Sequence, residues 1–346
     1  MNEKVITKKD MRDLMIVLVL IGITWYVMRK AIDIETLKML MSGMMWRYLF
    51  LSIGLLFLFW GLEALMMGWL IHRVNLKIER RRLPWIALKT TLIGQYYANI
   101  TPFASGGQPV QLYILKQHKL STSEGTAVLM SKFLIFQITV TLYALFLFIR
   151  SFQTTPIASR PFVITGLVIN LIGLAIIAFS AFKPQVLFGP IDWSIRKFQR
   201  SKTRMQKLRT RTHQFVNDYQ TGMARLTSDY RETATLFLLS LIQLTAFFSM
   251  PYFLSKAMGI PNTHFLQMLT IQAELYMCIS FIPIPGTVGV SEFGFVALMG
   301  NVMSGNLASM LMVLWRLVSY YFSLIFCGAF SLITSLMKRV KPSEIP

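Results

Sequence analysis

An all-α, polytopic membrane helix bundle is the fold class this sequence predicts, and three observations carry that expectation. Of 346 residues, 54% are hydrophobic and only 14% charged, where a soluble domain has about a quarter charged. Mean hydropathy is +0.54. Several apolar runs reach the roughly 20 residues that a helix needs to cross about 30 Å of hydrocarbon. A water-facing surface cannot be built from so few ionic side chains. The working parts are therefore expected inside the bilayer, in a single integral membrane domain over residues 1–346.

Seven stretches read as spanning helices, at about 14–30, 48–71, 125–149, 161–182, 233–258, 264–282 and 306–337. Lysines before the first of them give it the look of a signal peptide. Trp25, Tyr26, Arg29 and Lys30 follow it in place of a small-residue cleavage site, which predicts a retained helix.

The formal net charge is +20, from 35 Lys and Arg against 15 Asp and Glu. In a soluble chain that excess would suggest nucleic acid. Here no zinc spacing or aromatic-interleaved basic domain accompanies it, and the cations gather in connecting loops. Arg73, Lys77, Arg80, Arg81 and Arg82 follow the second span, and residues 183–232 carry eleven more Lys and Arg. The positive-inside rule places both loops in the cytoplasm, together with the N-terminus and its Lys4, Lys8, Lys9 and Arg12. No nucleic-acid partner is expected. Within 183–232, Met205, Leu208, Phe215, Tyr219, Met223 and Leu226 recur every three or four residues. That spacing predicts an amphipathic helix, either lying on the inner leaflet or docked on its own protein.

Two segments break the pattern of ordinary spans. One runs from Pro84 to His118 and contains T-P-F-A-S-G-G-Q-P-V-Q; the other is F-I-P-I-P-G-T-V-G-V-S-E-F-G-F, from Phe281 to Phe295. Proline and glycine forbid a continuous helix there. Broken backbone at membrane depth survives only where protein or a water-filled cavity satisfies its polar groups, so re-entrant segments are predicted. The two also look like copies. Gln108 precedes Lys132 by 24 positions (132 − 108), and Glu292 precedes Arg316 by 24 (316 − 292). Corresponding broken segments in two halves are the best sequence pointer to a transporter site. If both segments re-enter on their own side of the membrane, the last of the seven spans ends outside. Lys338, Arg339 and Lys341 would place that end inside, which requires one broken segment to cross. Both topologies stay open at this point.

An ionisable residue deep in a span costs at least about 2.5 kcal/mol and faces a cavity or a partner. The deep candidates are Glu63, Lys132, Glu274, Glu292 and Arg316. Glu292 can pair with Arg316, and Lys132 with Glu63 or Glu274. In the first broken segment Asn99, Gln108 and Gln111 offer amides to phosphate or sugar oxygens. Gly107 and Gly289 let backbone N–H groups approach a headgroup. No hydrolase, metalloprotease or phosphate-loop signature is present. His72, His118, His213 and His264 lack metal-ligand spacing, and Cys278 and Cys327 both fall in apolar runs. No catalytic residue, metal or cofactor is expected.

P-I-P-G-T-V-G-V-S-E at Pro283 to Glu292, W-R-L-V-S-Y-Y after it and T-P-F-A-S-G-G-Q-P-V-Q before it resemble the lysylphosphatidylglycerol synthase transmembrane-region family. That family includes the flippase half of the bacterial multiple peptide resistance factor, and the resemblance runs from about Arg12 to Met337. It implies a multi-pass protein of the bacterial inner membrane that moves lipid between leaflets. Relatives that also attach lysine do so with a further cytosolic domain, to which nothing before Pro346 is similar. Many relatives carry an acid and then an Arg where this chain has Gln108 and Gln111. The expected function is translocation of a phospholipid or glycolipid headgroup, with anionic or aminoacylated phosphatidylglycerol among the candidate lipids. Gln108, Gln111, Lys132, Glu292 and Arg316 would line the path. The alternatives are a membrane component of lysylphosphatidylglycerol synthesis, or a proton-coupled small-solute transporter using Glu292.

Overall fold

The computed structural model describes residues 43–76, 78–153, 160–183, 202–280 and 282–340. The expected first helix at 14–30, the N-terminus and the start of the basic loop at 184–201 lie outside the described residues. Among those described there is no strand, and the chain is an all-α bundle. Five helical stretches are long and apolar enough to cross a membrane. They are α1 (Trp46–Val74), α4 (Thr122–Ser151), α5 (Arg160–Phe182), the pair α7 (Tyr230–Phe248) and α8 (Met250–Ala257), and a final stretch beginning at Gly305. The protein is a multi-pass membrane protein. Ser249 separates α7 from α8, and Pro251, which has no N–H to give, stands in the first turn of α8.

Both Pro/Gly segments fold as helical hairpins. The first is α2 (Leu83–Ile100), a 3-10 turn (Pro102–Ala104) and α3 (Gly107–Gln117); the second is α9 (Phe265–Ile279), a 3-10 turn (Pro285–Thr287) and α10 (Val290–Met299). The first leaves and returns on one side, since the Asn75 amide at the end of α1 reaches the Lys119 carbonyl, 3.4 Å, just after α3. The second opens on the other side. There the Met45 N–H, before α1, donates to Ala257 O at the end of α8 at 2.8 Å, and α8 packs beside α11 (Gly305–Arg316).

These hairpins correct one sequence expectation and close the topology. The stretch read as a span at 264–282 is only the 15-residue arm α9, about 22 Å long and short of the hydrocarbon thickness. With that span removed from the count, α12 (Ser323–Val340) ends on the same side as Arg73, Arg80 to Arg82 and the basic helix. Both broken segments re-enter, and the end of the last helix still reaches the basic side.

The halves are inverted copies in backbone. Pro102 and Pro285 open the two 3-10 turns, and Thr122 and Gly305 open the helices that follow, each pair 183 positions apart (285 − 102, 305 − 122). The same interval relates Phe103 to Gly286 and Ala104 to Thr287, and all four have positive φ, between 52° and 58°. The left-handed region costs an L-residue roughly 1–2 kcal/mol, so its repetition at both tips marks a conserved turn geometry within the chain. Side-chain register departs from it by one residue. The backbone match of Lys132 is Trp315, not Arg316, and that of Gln108 is Ser291, not Glu292. The 24-residue offset thus pairs functional groups rather than backbone positions.

The basic amphipathic helix, α6 (Lys202–Thr227), docks on its own protein. Val216, Tyr219, Met223 and Leu226 are buried. Gly222 lies against Ala127 of α4, Ser131 Oγ meets Met223 Sδ at 3.1 Å, and the Tyr219 hydroxyl donates to Ala181 O at 3.2 Å. Arg73 and Glu232 pair at 3.0 Å beside it. Deeper in, Asn170 is fully buried. Its Nδ2 donates to Met277 O at 2.8 Å and its Oδ1 accepts from Gln137 at 3.0 Å. Such interhelical bonds are worth about 0.6–2 kcal/mol in a bilayer, and this one fixes α4 and α5 against the second hairpin.

Candidate functional site

The tips of the hairpins meet each other in the interior. A cavity of about 400 Å³ lies there, walled by both hairpins, α1, α4, α7, α11 and the start of α12. Lys132 lies ten residues into α4 and Arg316 eleven into α11, about 15 Å from the helix starts, so the two cations reach the cavity at similar depths from opposite ends.

Each cation meets one carboxylate. Lys132 Nζ pairs with Glu63 Oε1, and Glu63 Oε2 accepts from Gln243 Nε2 at 2.9 Å. Glu63, not Glu274, is therefore the partner of Lys132. Glu274 is buried on α9 outside the cavity wall, with Ser151 Oγ at 3.5 Å. Arg316 Nε donates to Glu292 Oε1 at 2.7 Å. Its Nη2 donates to the Gly286 carbonyl at 2.9 Å, and the guanidinium lies 4.5 Å from the Tyr320 ring centre, a cation–π distance. Glu292 stands behind Arg316, its Oε2 accepting from the Gly289 N–H at 2.6 Å and from Ser291 Oγ at 2.9 Å. Only glycine adopts the φ of +89° at position 289 without strain, and that turn aims its N–H at the carboxylate. This carboxylate at the start of α10 also meets the positive end of the helix dipole.

The first hairpin contributes amides. Asn99 ties the halves together: its carbonyl accepts from the Tyr320 hydroxyl at 3.1 Å and its Nδ2 donates to Ser323 Oγ at 3.2 Å. Gln95 Nε2 donates to Asn99 Oδ1 at 2.9 Å. Gln108 and Gln111 line the cavity. Gln108 is exposed and Gln111 buried, and among the described residues neither amide has a hydrogen-bond partner. Gly107 lets the two arms of the hairpin close: a Cβ there would lie 3.1 Å from Gly94 O.

Several residues of the site escaped the sequence reading. Gln243 and Gln272 look like ordinary polar positions in apolar helices, and only the fold brings Gln272 to the wall and Gln243 to Glu63 behind it. Tyr320 lies in a π-helical turn (Leu317–Phe322) directly after Arg316. Such turns recur at functional sites, but no residue pattern announces one. Gly286 had a signal, the P-G pair. Its φ is +58° and the Tyr320 ring packs where a side chain would start. Two buried polar atoms on wall residues, Gln272 Oε1 and Trp315 Nε1, have no partner among the described residues.

A family model described as "Lysylphosphatidylglycerol synthase TM region" matches residues 14–327. A protein named "UPF0104 membrane protein" from Archaeoglobus fulgidus is 25% identical over 313 residues, covering 85% of this chain and 88% of its own length.

Proposed function

We propose, on the premise that the chain belongs to the lysylphosphatidylglycerol synthase transmembrane-region family, that it carries a phospholipid or glycolipid headgroup across the bilayer through the central cavity. The observation that carries the reading is a cavity at mid-depth, mostly apolar but holding Lys132, Arg316 and the Gln108 and Gln111 amides, where two re-entrant hairpins of opposite orientation meet. Inverted repeats with broken helices at the midplane characterise transporters whose access alternates between the two sides. Lipid flip-flop is slow because the headgroup must shed its water. Amides and hydroxyls along the wall replace that water, while the acyl chains stay in lipid. Gln108 and Gln111 offer the contacts; Lys132 and Arg316 line the same wall, held in place by Glu63 and Glu292.

The test uses purified full-length protein in vesicles carrying lipids with a fluorescent tail, quenched from outside. Inner-leaflet probe is expected to become quenchable at least about tenfold faster than in protein-free vesicles, a barrier reduction of about 1.4 kcal/mol. Rates no faster than in protein-free vesicles for every headgroup tried would sink the reading.

The membrane is proposed to be the bacterial inner membrane, with the basic side cytoplasmic. Arg211 is exposed on α6. In a background lacking Cys278 and Cys327, Arg211→Cys is expected to react with an impermeant maleimide only after the cells are opened. Labelling of intact cells would invert the orientation.

A further inference from the structure

We infer that the cavity selects an uncharged, hydroxyl-rich headgroup, a glycosyl unit on a lipid, over an anionic one; the inference rests on the translocation reading above. The charges around the cavity are already spent on one another. Glu63 is held by Lys132 and Gln243, and Glu292 by Arg316, Gly289 and Ser291. Two cations and two carboxylates sum to zero. An anionic headgroup would have to pull a cation from its carboxylate, or enter as an uncompensated charge in a site of low dielectric, and both are costly.

The groups left uncommitted are neutral. Gln108 and Gln111 keep both ends of their amides without a partner among the described residues. A sugar hydroxyl donates and accepts at once and can answer both ends of an amide. Phe133, Phe136 and Tyr276 line the same space, and an aromatic ring suits the C–H face of a pyranose. At about 400 Å³ the cavity falls within the range of small-molecule sites.

The experiment compares three probes on the reconstituted full chain. Two are lipids with the same fluorescent tail, glucosyl-diacylglycerol and phosphatidylglycerol; the third is free radiolabelled glucose. Glucosyl-diacylglycerol is expected to cross at least about tenfold faster than phosphatidylglycerol, with no uptake of free glucose above protein-free vesicles. Gln108 is exposed and unbonded, so Gln108→Lys adds a cation that no carboxylate answers. It should narrow the ratio at least about fivefold by raising the phosphatidylglycerol rate. Phosphatidylglycerol crossing as fast as the glycolipid, or an unchanged ratio in Gln108→Lys, overturns the selectivity and leaves translocation standing. Failure of both lipids overturns translocation and the selectivity with it, and glucose uptake in that case marks a solute carrier.

Discussion

Arg316→Met is expected to lower the stability of the detergent-solubilised protein by about 3–5 kcal/mol, the usual cost of leaving one charge of a buried pair alone. The side chains of Arg316 and Glu292 are only 7% and 9% exposed, so water cannot take over the lost partner. Gly286 O would also lose one of its two donors, and the second hairpin one of its ties to α11. Glu292→Gln should cost less, because its one amide oxygen still accepts from Arg316, while the NH2 group takes the place of the oxygen that faced the Gly289 N–H. The double variant Arg316→Met/Glu292→Gln should recover at least half of the loss, since no unpaired charge remains. Denaturation midpoints of the four proteins, taken beside their lipid rates, decide the matter. A double variant as unstable as Arg316→Met would show that packing, not charge, is what Arg316 supplies. Folded Glu292→Gln with normal translocation would remove the pair from the transport path.

The second large effect belongs to the hairpin tip. Gly286→Ala is expected to destabilise by about 2–3 kcal/mol, composed of roughly 1–2 for an L-residue in the left-handed region and about 1 for a lost hydrogen bond. The bond at risk is that from the Tyr320 hydroxyl to Asn99 O, because the new methyl occupies the place of the Tyr320 ring. In a Tyr320→Leu background the contact is already relieved, so the same alanine should cost only the backbone share. Equal losses in the two backgrounds would show that the ring is not what limits position 286. The comparison also separates the tip's conformation from the link it makes between the halves.

Much of this architecture was legible in the residues. The charge deficit and the apolar runs give the bundle, and Pro/Gly breaks in otherwise apolar stretches give both hairpins. The Glu292–Arg316 pair is visible as two ions that the bilayer would not tolerate singly. What failed has physical causes. Phe265–Ile279 is an apolar helix, and hydropathy does not say whether a helix crosses or turns back; its length and the proline that follows were the usable signals. Lys132 had two candidate carboxylates, and choosing Glu63 over Glu274 needs the packing of α1 against α4. The π-helical turn at Leu317–Phe322 is a backbone insertion that side-chain periodicity does not encode.

The contacts between hairpin tips also set an order on how the chain can be made. Asn99 is bonded to Tyr320 and Ser323, residues 221 and 224 positions later. At bacterial-scale synthesis rates of about 5–20 residues per second, the first hairpin waits roughly 10–45 s before its partners leave the ribosome. Irregular backbone facing lipid is not tolerated for want of hydrogen-bond partners. Through that interval the Thr101–Gly106 turn needs shelter, from the insertion machinery or from water held beside it. Final closure of the tip therefore falls to the last helices, and a ribosome that stalls before Gly305 leaves behind a first hairpin without Tyr320 and Ser323 to bond.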